Sequence, residues 1–272
     1  GQESSASNAV VFEAPQHGAN SIASFSEGGL TIPNAISEML GKATIEFWMR
    51  STKNVSYTHQ VGPRWGKFLF HNDNSGTLSV GWESNSTDRL NASGVFSTLN
   101  KWNHIAIVID GSVLTLYVNG LRKGQITSKT FSGLTAFGDL QFGHSSTNQW
   151  WNGDLDEIRV WRTARTQAEI RNNMRVPIAI PSLQPDLLVY LPMDTIQVDG
   201  KTLLREWVSG KHASFLSIGT HEVGEDDGPF TRTQPTPTLS ISEEEATHLT
   251  GIPFRLTAQT LLSAVAWQWK VD

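Results

Sequence analysis

Hydrophobic positions along this chain alternate with polar ones far more often than they recur at helical spacing. Between Trp102 and Asp110, Ile105, Ile107 and Ile109 alternate with Trp102, His104, Ala106 and Val108. Between Ala43 and Arg50, Ile45, Phe47 and Met49 alternate with Thr44, Glu46, Trp48 and Arg50. Side chains two apart on a strand share a face, so each segment predicts a strand whose aliphatic face packs between sheets while the other set faces outward. The same reading predicts strands at Ala9 to Glu13, Gly29 to Ile32, Trp65 to His71, Thr77 to Trp82, Val113 to Asn119, Leu121 to Thr127, Asp139 to Gly143 and Gly153 to Arg162. Turn residues punctuate them, notably Asp110-Gly111, Asn119-Gly120 and Asn74-Ser-Gly76, where the backbone reverses tightly.

Helical signal is confined to one place. Thr166 and Glu169 have the spacing of a reciprocal capping box, and Ala168 and Ile170 begin a short helix through about Met174. Many short strands with a single short helix predict an all-β sandwich or jelly roll of two antiparallel sheets.

The pattern also divides the chain. Residues 1–8 are small and polar and read as a flexible leader. The sandwich domain takes 9–224, because 187–191, 202–208 and 213–216 keep strand character and fold back on it. Residues 225–237, with Pro235 and Pro237, read as a linker. Beyond it, 238–242, 253–258 and 264–271 predict three strands, too few for an independent sheet domain; 238–272 is expected to be a partial β module.

Composition removes some function classes. A net charge of -5, with no stripe of Lys and Arg, excludes nucleic acid as a partner. No apolar run approaches the length of a membrane span, so no transmembrane segment is expected. There is no basic leader followed by an apolar stretch, so any signal peptide has already been removed. Zero cysteines exclude disulfides and thiol chemistry. Ten Trp against three Tyr raise the prospect of rings that stack on sugars.

Asn8-Ala-Val-Val-Phe12, Ala43-Thr-Ile-Glu-Phe-Trp-Met49, Trp102-Asn-His-Ile-Ala-Ile-Val108 with Leu116-Tyr-Val-Asn-Gly120, and Gly153-Asp-Leu-Asp-Glu-Ile-Arg-Val-Trp161 occur in that order. Together they resemble the laminin-G-like jelly rolls of the concanavalin A-like lectin/glucanase superfamily. The resemblance covers roughly residues 8–175, with a flanking segment to about 222 in Leu188-Val-Tyr-Leu-Pro-Met-Asp194 and Trp207-Val-Ser-Gly210. Where that family commonly has an acidic residue before Ser-Gly, this chain has Trp207 and Val208. The resemblance implies a curved sandwich that binds carbohydrate or protein at a concave face or loop rim, often with calcium. The C-terminal strands, with Trp267 and Trp269 in alternation, are similar to the start of an immunoglobulin-like module. Such architecture implies an exported bacterial protein that is secreted or held at the cell surface.

Several groups of residues are candidates for chemistry. Glu46, Trp48, Arg50, His104, Glu157, Arg159 and Trp161 share the outward face, where carboxylates and guanidinium groups beside flat rings suit hydroxyl recognition and stacking; the competing reading is that this face is covered and its charges pair internally. A second group joins Trp150 and Trp151, in the loop from His144, with Tyr57, His59 and Trp65 as a rim that grips a sugar. Asn152, Asp154 and Asp156 stand at i, i+2 and i+4, with Ile158 next on the same face, and offer oxygens to calcium; alternatively the aspartates accept local backbone N–H groups. For catalysis, relatives on this fold place Glu-x-Asp-x-Glu along one strand, and both outer glutamates are missing here, although Glu46 and Glu157 remain a conceivable pair across strands. The expected function is a non-catalytic, lectin-like module that binds a polysaccharide or glycan, with other domains of the same protein as further expected partners. A protein-protein adhesion or spacer module is the alternative, and a glycoside hydrolase the second alternative.

Overall fold

The computed structural model describes residues 21–36, 41–53, 68–82, 88–128, 138–143, 151–217, 219–225, 228–229, 257–259 and 268–270. The leader, the strand expected at 9–13 and nearly all of the linker lie outside them. Chain order runs β1 (Ser21–Gly28), β2 (Leu30–Ile36), β3 (Lys42–Ser51), β4 (Phe68–Asn72), β5 (Leu78–Trp82), β6 (Arg89–Ala92), β7 (Trp102–Asp110), β8 (Val113–Val118), β9 (Leu121–Thr127), β10 (Gly138–Phe142) and β11 (Trp151–Trp161). Helix α1 (Gln167–Asn173) follows, then β12 (Leu187–Leu191), β13 (Thr195–Val198), β14 (Lys201–Leu204), β15 (Ser214–Phe215), β16 (Thr220–Glu225), β17 (Thr257–Gln259) and β18 (Gln268–Lys270).

One sheet dominates. Its eight strands run β16-β1-β11-β3-β7-β8-β9, and β12 also pairs with β11. β1 takes the first half of β11, from Leu155 back to Trp151, and β12 takes the second half, from Ile158 to Trp161. The facing layer consists of two three-stranded pieces, β10-β2-β15 and β4-β5-β6. Phe47 of the large sheet meets Phe70 and Phe142 edge-on, with ring centroids 5.4 and 5.0 Å apart, so both pieces sit on the same side of it. The aliphatic set of the sequence pattern, Ile45, Phe47, Met49, Ile105, Ile107 and Ile109, fills the core between the layers. β-branched and aromatic side chains suit such a half-buried pleated surface.

Local chemistry sets the ends of these elements. Asn119 and Gly120 both adopt positive φ, 52° and 73°, which turns β8 into β9 through the two-residue reversal that matches strand twist. In α1 the Thr166 side chain accepts the Glu169 N–H, and the Glu169 carboxylate accepts the Thr166 N–H in return. The Thr166 hydroxyl also donates to the Glu169 carboxylate at 2.7 Å, and this bond first, with that from the Thr166 N–H, holds the Glu169 carboxyl below its usual range.

β1 and β16 are strands that the alternation did not predict. Each borrows its order from a partner: Ala23 faces Leu155 on one side and Val223 on the other. β17 and β18 form a separate antiparallel pair.

β11 breaks the alternation once. Asp156 faces Trp48 and Arg159 faces Glu46, so Glu157 and Ile158 together oppose a single partner position. This is a β-bulge, centred on Glu157, whose φ is 53°. A non-glycine residue there costs roughly 1 to 2 kcal/mol. The Glu157 N–H, which donates to Asp156 Oδ1 at 2.8 Å, helps to offset that cost. The bulge moves Ile158 into the core and sets Asp154, Asp156, Glu157, Arg159 and Trp161 on one face. Strict alternation separates the first two of these from the rest and puts Ile158 with the aspartates.

Candidate functional site

The face of the large sheet turned away from the core is not uniformly exposed. After β11 the chain crosses back over it as α1 and the segment 174–190. Ile170 packs on Ala106 and Val108, Thr44 Oγ donates to Thr163 O at 2.7 Å, and Trp48 Nε1 donates to Met174 O at 2.7 Å. Beneath this strap lie Glu46, Trp48, His104, Glu157, Arg159 and Trp161, all buried. They share a face, but sugar has no access to them, and the expectation that they form a binding surface is corrected on that ground.

These groups satisfy one another instead. Arg159 donates to Glu157 Oε2 at 2.6 Å and to the carbonyls of Asn173 and Val176 at 2.9 and 2.8 Å. Burial opposes its charge, but the adjoining Glu157 carboxylate more than restores it, so the pKa of Arg159 is raised. Glu46 accepts from Trp161 Nε1 at 2.7 Å and pairs with Arg165. His104 lies 3.7 Å from Glu46 and edge-on to Trp48. Desolvation lowers its pKa to about 4, against the pull of Glu46, with Arg159, Arg165 and Arg175 adding to the fall. A neutral imidazole sealed under a helix is structural. The carboxylates of Glu46 and Glu157 are each committed to a cation, and neither faces a cleft as acid or nucleophile.

Past the strap the same face emerges at the end of the sheet where β3 finishes and β11 begins. Register places Glu222, Ser24, Asp154, Arg50 and Trp102 side by side across β16, β1, β11, β3 and β7. Ser24 Oγ donates to Asp154 Oδ1 at 2.6 Å, Arg50 Nε donates to Asp154 Oδ2 at 2.6 Å, and the Arg50 guanidinium lies 5.0 Å from the Trp102 ring centre. Glu222 is exposed, while Ser24, Arg50 and Trp102 are half-buried. One step further out, exposed Ser26 adjoins Asn152. This row combines a flat ring, an ion pair, a hydroxyl and an exposed carboxylate.

Two chain segments attach at this end. Ser51 faces Gly153, and Thr52 N–H donates to Asn152 O at 3.1 Å. Lys53 and Trp151, the described residues that border segments 54–67 and 144–150, therefore lie at the ends of neighbouring strands; those segments carry Tyr57, His59, Trp65 and Trp150. Those four residues lie outside the described ones.

Trp151 is different from its neighbour in sequence. It is the first residue of β11, 1% exposed, with its ring 5.5 Å from that of Phe25. Gly153 makes room for it, since a Cβ there would come within 2.9 Å of the indole and 2.2 Å of Arg50 O. The expectation that Trp151 lines an exposed rim is corrected: it belongs to the core.

The donors of the calcium set have other partners. Asp154 is neutralised by Arg50, Asp156 accepts the Glu157 N–H, and Asn152 is approached by Ser26 Oγ at 3.4 Å. Among the described residues no group of three or more His, Cys, Asp or Glu side chains comes together as a metal site. A hard cation needs several converging anionic or carbonyl oxygens, and at Asn152, Asp154 and Asp156 it would compete with these contacts.

Sequence reasoning overlooked Trp102, Ser24 and Glu222 as site residues. Trp102 was legible, as the outward residue opposite Arg50; the other two lie on strands without an alternating pattern. Glu206 was overlooked as well. Its carboxylate accepts the N–H groups of Tyr190, Val208, Ser209 and Gly210 and the Ser209 hydroxyl, at 2.6 to 3.0 Å. Glu206 stands one position before Trp207, where it ties the corner at Val208 to Gly210 to Tyr190 of β12. No described helix is long and apolar enough to cross a membrane.

A family model described as the concanavalin A-like lectin/glucanases superfamily matches residues 25–171. Pappalysin-1 of Homo sapiens is 33% identical over 101 residues, and that of Mus musculus is 30% identical over 101 residues. Each match covers 36% of this chain and 6% of the relative, so the chain spans a small fraction of the curated proteins it matches. A crystal structure of a Bacteroides ovatus protein to which carbohydrate binding has been ascribed superposes with a TM-score of 0.61 at 16% identity, over 78% of this chain and 62% of that one.

Proposed function

Because the chain belongs to the concanavalin A-like lectin/glucanases superfamily, we propose that it is a non-catalytic carbohydrate-binding module of an exported bacterial protein, secreted or held at the cell surface. The observation that carries this reading is the row Trp102, Arg50, Asp154, Ser24 and Glu222. An indole face stacks on the C–H face of a pyranose, and fixed polar groups beside it select hydroxyl orientation. Arg50 and Asp154 orient each other before any ligand arrives, so little ordering cost falls on binding. The row is a shallow surface, which suits weak binding per site, strengthened by repetition along a polymer.

The test is a glycan and polysaccharide array probed with the wild-type protein and with Trp102→Ala, Ser24→Ala and Trp150→Ala, each shown to be folded by circular dichroism. Binding that Trp102→Ala abolishes supports the reading. No binding to any glycan would favour the adhesion or spacer role.

A further inference from the structure

We infer that this row holds an internal stretch of an extended, linear polysaccharide whose sugar chain runs across the strands, an inference that rests on the carbohydrate reading of the site. The row is straight and long. Trp102 faces Arg50, Arg50 faces Asp154, Asp154 faces Ser24 and Ser24 faces Glu222, and the register shifts in these pairings all fall outside the row. Four strand spacings separate its ends, about 19 Å, a length that takes several pyranose rings end to end. Glu222 stands on the same face at the far end, its carboxylate oxygen 3.9 Å from the place that a Cβ on Gly224 would take. Alternation repeats the polar pattern one step outward, where Asn152, Ser26 and Thr220 face one another across β11, β1 and β16.

Exposure rises in steps across this end of the sheet. His104, Trp48, Asp156 and Ile22, one step towards the strap, are buried. Trp102, Arg50 and Ser24 are half-buried, and Ser26 and Thr220 beyond them are exposed. The row is thus a ledge with one covered side. Among the described residues its two ends are open. β16 is the outer strand of the sheet, so no strand stands beyond Glu222. At the other end β8 pairs with β7 only from Ile105 to Asp110, and the chain turns away at Asn119, whose side-chain oxygen accepts the His104 N–H at 2.9 Å. The stretch before Trp102 bends to the opposite side, with Val95 and Phe96 in the core and the Phe96 N–H bonded to Gly76 O. A site for a single sugar or a chain end encloses it on several sides. A ledge open at both ends lets a chain enter and leave, and polar groups on successive strands match hydroxyls that recur along the chain. Trp102 stacks on one ring, and the polar groups keep the others in place. Equatorial 1,4 links keep a glycan extended along such a ledge, whereas a coiled chain would rise off its floor.

The experiment titrates the full chain by calorimetry with cello-, xylo-, manno- and chito-oligosaccharides, from the single sugar to the hexasaccharide. Long soluble chains of the same backbones, hydroxyethylcellulose, arabinoxylan, glucomannan and glycol chitin, give the number of protein molecules held per chain. Expected for at least one series is an affinity that rises at least about tenfold from the single sugar to about the tetrasaccharide, the span of the row at about 4.8 Å per strand, and then levels. Many protein molecules should occupy each long chain. Trp102→Ala should remove binding at every length, and Glu222→Ala should weaken the tetrasaccharide about twofold to fivefold, each variant shown to be folded by circular dichroism. Trp102-dependent binding that is equal for the single sugar and the hexasaccharide, or that is limited to one protein molecule per chain end, marks a terminal sugar as the ligand. Either result would overturn this inference and leave the carbohydrate reading standing, as would Trp102-dependent binding on the array with none to these four series. A length dependence that ignores both Trp102→Ala and Glu222→Ala puts the chain elsewhere and also overturns it. Absence of binding to every glycan, on the array and here, overturns both.

Discussion

Tyr190 and Glu157 meet where the strap closes over the bulge of β11. The phenol oxygen lies 3.0 Å from each carboxylate oxygen of Glu157 and accepts the Ile178 N–H at 3.1 Å. One hydroxyl thus satisfies a buried charge and a buried backbone donor together. Its loss leaves both short of a partner, and a hydrogen bond to a buried charged group is worth about 1.5 to 3 kcal/mol. Tyr190→Phe should lower stability by about that amount in urea unfolding, with the ring packing intact. A midpoint unchanged from wild type would show that the hydroxyl contributes nothing.

Trp151 and Trp102 should separate stability from binding. Trp151→Ala empties a core site, a change that costs about 3 to 5 kcal/mol for a buried aromatic. Trp102→Ala removes a half-exposed ring and should move the melting temperature little while abolishing glycan binding. Thermal melts of the two variants side by side check this; similar losses of stability would place Trp102 in the core as well.

His104 makes stability depend on pH. Its pKa in the folded protein is about 4, below the ordinary value near 6.5, so between these pH values the unfolded chain takes up a proton that the folded chain refuses. Stability contributed by the neutral imidazole is therefore complete above about pH 6.5 and is lost as pH falls towards 4. The loss is on the order of 3 kcal/mol. In His104→Gln, which cannot charge, the melting temperature should fall less over this window than in wild type. Parallel curves for the two proteins would refute the assignment.

Calcium should not act through Asp154. Asp154→Asn breaks the pair with Arg50 and should destabilise by about 1 to 3 kcal/mol, the cost of breaking a buried pair reduced because Arg50 is partly solvated. The change in melting temperature on adding calcium or EDTA should be the same in this variant and in wild type. A calcium shift that disappears in Asp154→Asn would restore the metal site.

Much of this architecture is written in the sequence, because local rules decide it. Alternation at Ile105, Ile107 and Ile109 marks β7, Asn119-Gly120 marks the hairpin, and Thr166 with Glu169 marks the start of α1; each signal depends on neighbours within a few residues. The tertiary structure decided the rest. Ser21 to Gly28 and Thr220 to Glu225 are too polar to declare themselves, and they are strands because β11 and then β1 offer them a pairing edge. The bulge at Glu157 depends on a register two strands wide. Alternation shows that Glu46, His104, Arg159 and Trp161 share a face, but not what lies on it, and it is the return of α1 and the strap that turns that face into a buried polar layer. For the same reason, Trp102, Arg50, Asp154, Ser24 and Glu222, scattered over about two hundred residues of chain, become one surface only when five strands align.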